Sequence, residues 1–216
     1  MLSITNFRRH YLSLTTVLLI LTPALSGNEN LSLDFLKGQK KTWHSKGHRK
    51  AKGIKMKISY PAKWEAKEGT RPNILHKFVG KSASGVDLVT LTTKTLPSPY
   101  NRILTRAEKT ELLAKDSAKD MLPEGATLLS HKITKIDGEM CAMAEFLYIS
   151  ERVGTKVGQK GLVFIIPRPG TLLLVNCATI SGVENGFSVL NNQYAKLKNL
   201  FLLIGSSCVF VDKWEE

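Results

Sequence analysis

The chain has 216 residues, 43% of them hydrophobic and 7% aromatic, with a formal charge of +13. That balance suits one globular domain with a sizeable core and excludes the disordered and fibrous classes. The charge suggests a nucleic-acid binder until it is located. Arg8 and Arg9 precede an apolar N-terminal run, and Lys37, Lys40, Lys41, Lys46, Arg49, Lys50, Lys52, Lys55 and Lys57 fall in one acid-free interval; setting these 11 aside from the 31 basic residues leaves 20 against 18 acidic ones. The body of the protein is nearly neutral, and the excess belongs to one segment.

Residues 1–26 read as a secretory signal peptide: a basic start (Arg8, Arg9, His10), an apolar run from Tyr11 to Leu25, and small residues at Ala24 and Ser26, with cleavage expected after Ser26. The run is diluted by Ser13, Thr15, Thr16 and Thr22 and falls short of the ~20 residues of a spanning helix. No transmembrane span is therefore expected after cleavage, and the protein is read as exported, periplasmic or secreted. The paired arginines also suit a twin-arginine signal, so the export route stays open. Asn28 stands where a lipoprotein would need cysteine, which excludes a lipid anchor there.

Residues 27–53 show a short apolar stretch (Leu31, Leu33, Phe35, Leu36) and then the lysine-rich interval around Trp43. Without core periodicity they are expected to form an exposed or partly ordered basic leader arm. Asn30-Leu31-Ser32 is a glycosylation sequon, relevant in a eukaryotic host. His44 and His48 have a spacing that suits a metal on a helix, but Gly47 and the surrounding cations argue against one.

The pattern sharpens at Ile54, where Ile54, Met56, Ile58 and Tyr60 alternate with polar residues as a strand that Pro61 ends. A polar loop, Glu68 to Asn73, leads to a hairpin of 74–80 and 86–95 turning at Ser84-Gly85. Thr105-Arg106-Ala107-Glu108 is a capping box for a helix running to about Met121, stopped by Pro123-Glu124-Gly125. Four strands follow: 126–136, 140–152 after the Asp137-Gly138 turn, 161–167 after a glycine-rich bend, and 172–179 after Arg168-Pro169-Gly170. Apolar residues on both faces of 140–149, and the unbroken runs 162–166 and 172–175, require cover on both sides of the sheet. Phe187, Leu190, Tyr194, Leu197, Phe201 and Ile204 recur at helical spacing, with Gly205 expected to end the helix and Cys208 to Val211 forming a last strand. The expected fold is α+β, an α/β/α sandwich with a central antiparallel sheet of seven or eight strands and two main helices, all within one domain over 54–214.

This succession of Ile54 to Tyr60, Pro61, Trp64, a glycine loop, strands, helix, meander, amphipathic helix and final strand resembles the PsbP-like family. That family includes the extrinsic subunit of the oxygen-evolving complex and exported bacterial relatives of the DcrB type. The resemblance covers about residues 53–214. It implies structural roles for Tyr60, Pro61 and Trp64, which close the first strand and place an aromatic in the core. It also implies an accessory or binding role outside the cytoplasm, usually without catalysis. The basic arm with Trp43 has no counterpart in it, and the metal binding of some relatives has no matching ligand set here.

No catalytic motif is present: no nucleophile elbow, phosphate-cradling glycine loop, paired-cysteine zinc site or metalloprotease helix. No cofactor, metal or catalytic residue is expected. Cys141, Cys177 and Cys208 lie in expected strands as small buried hydrophobes. In a meander Cys141 and Cys177 stand two strands apart, about 9–10 Å, beyond the ~7 Å reach of a disulfide, so any bridge would need Cys208. His131 and His76 lie in strands, and Glu145 lies among apolar neighbours where it needs a partner. The partner-binding candidates are Glu68, Arg71 and Asn73 of the loop and Lys40, Lys41, Trp43, Lys46, Arg49, Lys50 and Lys52 of the arm. Together they suit an envelope protein or an anionic polymer or lipid surface, nucleic acid being disfavoured by export. The alternatives are a ligand pocket or enzyme site near Glu145 and His76, or a secreted factor acting on another cell.

Overall fold

In the computed structural model, residues 29–82, 85–152 and 154–213 are described. The expected signal peptide, residues 1–26, the Ser84 half of the first hairpin turn and Trp214 lie outside these residues. The elements run α1 (Glu29–Leu36), β1 (Lys40–His44), β2 (Met56–Pro61), β3 (Glu65–Glu68), β4 (Ile74–Ser82), β5 (Gly85–Thr95), α2 (Arg106–Leu112) and α3 (Lys115–Lys119), followed by β6 (Thr127–Ile136), β7 (Glu139–Arg152), β8 (Thr155–Arg168), β9 (Thr171–Gly182), α4 (Ser188–Ser206) and β10 (Val209–Phe210). Seven strands make one antiparallel sheet, ordered β3-β4-β5-β9-β8-β7-β6, and β1, β2 and β10 make a second of three. The α+β class, the antiparallel sheet and cover on both faces are as expected; the strands expected first and last, β2 and β10, however, pair with each other outside the large sheet.

Alternation sorts the large sheet's residues into two cores. On one face Phe164, Ile166, Leu173, Val175 and Cys177 meet Tyr194, Leu197, Phe201 and Ile204 of α4, while Phe78, Val89 and Leu91 meet Ile58, Tyr60 and Trp64 of the small-sheet side. On the other face Ala142, Ala144, Phe146, Val163 and Ile165 pack with Leu104, Leu113 and Ala118 from α2, α3 and the loop before them. Residues 161–168 of β8 are buried without interruption, as a strand covered on both sides must be.

Three sequence expectations are corrected by packing: the extent of the helix after Thr105, the roles assigned to glycines, and the basic arm. The helix expected over 105–121 has its capping box at Thr105 and Glu108, but breaks at Leu113-Ala114, where Ala114 is extended. The Leu113 carbonyl released by the break lies 2.9 Å from the His131 ring nitrogen, so a side chain from β6 replaces a helical hydrogen bond. Gly158, expected in a bend, sits inside β8, where a Cβ would stand 2.6 Å from Val183; a Cβ at Gly161 of the same strand would stand 2.4 Å from the Cys177 carbonyl. Gly205 does not end α4, which runs to Ser206. It lets the helix settle on Phe164, whose ring would lie 2.2 Å from an added Cβ.

The third correction concerns the basic arm. Residues 29–51 form α1, β1 and a 3-10 turn at Arg49–Ala51 and belong to the folded body. β1 pairs antiparallel with β2 from Lys40↔Pro61 to His44↔Lys57. Phe35 and Ala51 join the core, and Trp43 packs against it.

One polar tie crosses the α4 interface. Asp87 of β5 is 2% exposed and accepts hydrogen bonds from Gln193 Nε2 of α4 (2.6 Å) and Thr179 Oγ1 of β9 (3.2 Å). Burial pushes its carboxyl up from the usual 3.8 to about 6, against the pull of the Gln193 and Thr179 hydrogen bonds. Folding thus favours the protonated acid, so its contribution is complete below about pH 4 and is lost as the pH rises through about 6.

Two outcomes follow from this packing. Gly205→Ala gains about 1 kcal/mol of helix propensity but overpacks Phe164 at a cost of about 1–3 kcal/mol or more; the denaturation midpoint is expected to fall, and a rise would contradict the close approach. Asp87→Asn is expected to remove a loss of about 3 kcal/mol in stability between pH 4 and pH 6. Parallel melting-temperature profiles for both proteins across that range would show that Asp87 is not buried as described.

Candidate functional site

The basic interval is shaped by a two-residue period that the lysines conceal. Along β1, Trp43 faces inward opposite Ile58, whereas Lys40, Lys41, Thr42 and His44 are exposed. Ser45, next on the inward side, is 2% exposed and ties the segment twice to its own return: its Oγ donates to the Ile54 carbonyl (2.6 Å) and accepts from the Met56 amide (2.8 Å). Its amide also donates to the Met56 carbonyl at 2.9 Å. Gly47 turns the chain with φ +75°, a left-handed value glycine adopts without strain. His48 then caps the 3-10 turn, its Nδ1 accepting from the Lys50 amide at 3.2 Å.

This turn docks on the loop that the sequence singled out separately. Lys50 Nζ donates to the Gly69 carbonyl and lies 3.6 Å from Glu68 Oε1, while His48 Nε2 lies 3.7 Å from the same oxygen. The Lys50 carbonyl accepts from Thr93 Oγ1 (2.8 Å), and the Thr93 amide donates to the Asn73 carbonyl (2.9 Å). Gly69 is needed here because a Cβ would stand 2.2 Å from the Ile74 carbonyl oxygen. Arm and loop therefore form one surface. On it Lys40, Lys41, Lys46, Arg49, Lys52, Arg71 and Asn73 are exposed, and Lys50 is half-buried as its fastening.

Beneath the surface lies an aromatic stack. Trp43 stacks on His76 at 5.0 Å between ring centres, His76 lies 5.1 Å from Phe78, and Tyr60 stacks on Phe78 at 4.2 Å. His76 Nε2 is buried without a hydrogen-bond partner among the described residues. Burial, then the neighbouring His48, lowers its pKa; Glu68 opposes them. Trp64 completes the cluster against Gly80, where a Cβ would stand 2.6 Å from the indole. Tyr60, Pro61 and Trp64 are all buried.

Glu145 and His76 are not brought together. They stand on β7 and β4, with β8, β9 and β5 between. Glu145 is paired with Lys198 of α4 at 2.8 Å and accepts from Ser130 Oγ at 3.4 Å. The three cysteines are free and buried; burial pushes the Cys141 and Cys208 thiols up to about 12 and raises Cys177 as well, which leaves little thiolate for nucleophilic chemistry. Among the described residues no three histidine, cysteine or carboxylate side chains are placed to hold a metal, and no helix is long and apolar enough to cross a membrane.

Sequence reasoning missed Ser45, His48 and Thr93, which set this site. The alternation of Trp43 and Ser45 with exposed neighbours was the available signal, and it was hidden because neither inward residue is aliphatic.

No family model matches the chain, and no curated protein does. Among solved structures, cyanobacterial PsbP from Synechocystis is similar over 80% of this chain and 92% of its own, at 14% identity and a TM-score of 0.48. LpqN, involved in cell envelope biogenesis of Mycobacterium tuberculosis, is similar over 82% of this chain and 95% of its own, at 12% identity and a TM-score of 0.49. At these levels neither likeness carries a function from that protein to this chain.

The buried imidazole generates a pH prediction. Because the folded-state pKa of His76 lies below 6.5, its contribution to stability is complete above that value and is lost as the pH falls below it. His76→Phe, which keeps the stack and removes the unpartnered nitrogen, is expected to melt at a higher temperature than the parent at pH 5 and to narrow that difference at pH 8. A difference that is constant with pH would contradict the assignment.

Proposed function

We propose that this chain is an exported, non-catalytic accessory protein of the cell envelope that docks on an acidic partner surface, on a protein or an anionic polymer or lipid, through the face made by residues 37–57 and the 68–73 loop. The observation that carries the reading is charge held on a fixed frame. Between Asp34 and Glu65 the chain contains ten lysines and arginines and no acid. Lys41, Lys46 and Arg49 are exposed, and none of the three has an acidic partner among the described residues. Cations on a folded backbone attract a polyanion without the ordering cost of a disordered tail, and a surface on which cations far outnumber Glu68 disfavours cationic partners. Export follows from the N-terminal leader pattern, and the absence of a catalytic constellation at Glu145 and His76 favours binding over chemistry.

In-cell crosslinking and recovery of the tagged mature chain tests the reading. Lys41→Glu combined with Lys46→Glu and Arg49→Glu is expected to reduce partner recovery on the order of tenfold or more, with recovery from the parent falling as salt is raised. Reversing the exposed Lys115 and Lys119 on α3 instead should leave recovery unchanged. Equal loss in both variants, or none in either, would overturn the docking face.

A further inference from the structure

A second cationic site shares no lining residue with the docking face. Four separate segments converge on it: the loop before α2 with the start of that helix, the β6–β7 turn, the β8–β9 turn, and the C-terminal 3-10 turn Val211–Lys213. They enclose a cleft of about 220 Å³ beside another of about 330 Å³, both lined by Lys109 and Glu139.

The charges there do not balance. Arg168, 9% exposed, directs Nη1 to Glu139 Oε1 (3.2 Å) and Nη2 to Asp212 Oδ2 (2.6 Å), with its guanidinium 4.3 Å above the Phe210 ring. Glu139 is also approached by Lys213 at 2.8 Å and Lys109 at 3.4 Å, so one carboxylate is shared by three cations. Arg106 and Lys135, both exposed, line the same opening. Asp137 supplies the remaining acid, and its carboxylate accepts from the Phe210 amide. Among the described residues, five cations thus face three carboxylates, all of which are already engaged. The walls are apolar: Ile103, 75% exposed, stands with Leu104, Pro167 and Pro169 on one side, and Met140 lies across the second opening.

We infer that this cleft binds a phosphate monoester carrying a compact apolar group. A dianion matches the excess of two positive charges. Lysine ammonium groups serve phosphate as point charges, while Arg168, fixed by its two carboxylates, positions Glu139 and is not itself the ligand's donor. Ile103, the prolines and Met140 offer the apolar group a surface otherwise left to water. The phosphoryl group could belong to a soluble ester or to a lipid headgroup.

The test is a titration of the isotope-labelled mature chain with phenyl phosphate, inorganic phosphate and, at matched ionic strength, sodium chloride, followed by amide resonances. Saturable shifts at residues 103–109, 135–140 and 167–170 are expected with phenyl phosphate, weaker ones with phosphate, and none with chloride. Arg106→Glu with Lys135→Glu, both at exposed positions, should weaken phenyl phosphate about tenfold or more with an unchanged melting temperature. The same amides perturbed by vesicles containing phosphatidic acid, and not by vesicles of neutral lipid, would assign the lipid source; perturbation by the soluble ester alone would assign the other. Shifts reproduced by chloride, or a charge-reversed variant that binds phenyl phosphate as tightly as the parent, would overturn the inference.

Discussion

A single helix is too narrow for the face it has to cover. The large sheet has seven strands, which at about 4.8 Å each span about 30 Å, whereas a helix with its side chains is about 10 Å wide. α4 packs on β8 and β9 and leaves the β4 and β5 side of that face to other cover. The small sheet supplies it, with Tyr60 and Trp64 over Phe78 and with Trp43 stacked on His76. The chain's most basic stretch is thereby drawn into the fold, because β2 needs a partner strand and β1 is that partner. The same requirement pairs β10 with β2 and brings the C-terminal turn back to Arg168 and Glu139.

Once β1 is fixed, its outward residues become a rigid array. The Ser45 ties and the His48 cap hold the excursion from β1 to β2, and Lys50 fastens it to Gly69 and Glu68. The half-buried cation is the structural one, and the exposed cations beside it are those the proposed docking would use. A surface ion pair such as Lys50 with Glu68 contributes little by itself. Its carbonyl bond to Thr93 and the aromatic stack beneath are what set the position of the turn.

Much of this was legible in the sequence where local and tertiary preferences agree. The Asp137-Gly138 and Pro169-Gly170 turns, the capping box at Thr105 and the helical spacing of Leu190 to Ile204 located the meander and both helical regions. The failures lie where a distant residue decides. Leu113 and Ala114 are good helix formers, and only His131, on another element, reveals why the helix stops there. Gly205 near a helix end has the usual look of a cap, yet Phe164 of β8 is what requires it. β3 is exposed along its whole length, so no alternation marks it. Within the candidate site, the individual residues Trp43, Lys50, Glu68 and Asn73 were singled out, but their union depends on contacts between segments 19 and 43 residues apart and on the unremarkable Ser45.

Amide hydrogen exchange across residues 40–57 tests the central claim most directly, since the account stands on the basic segment being folded. The Ser45 and Met56 amides are bonded to each other's residues inside the fold, and β1 is paired with β2 over its whole length. Protection of these amides comparable to that in β8 and β9, retained at high salt where exposed ion pairs are screened, is the predicted result. Exchange of residues 40–48 at the rate of an unstructured peptide, with β8 and β9 still protected, would return the segment to a free arm and contradict the fixed docking face.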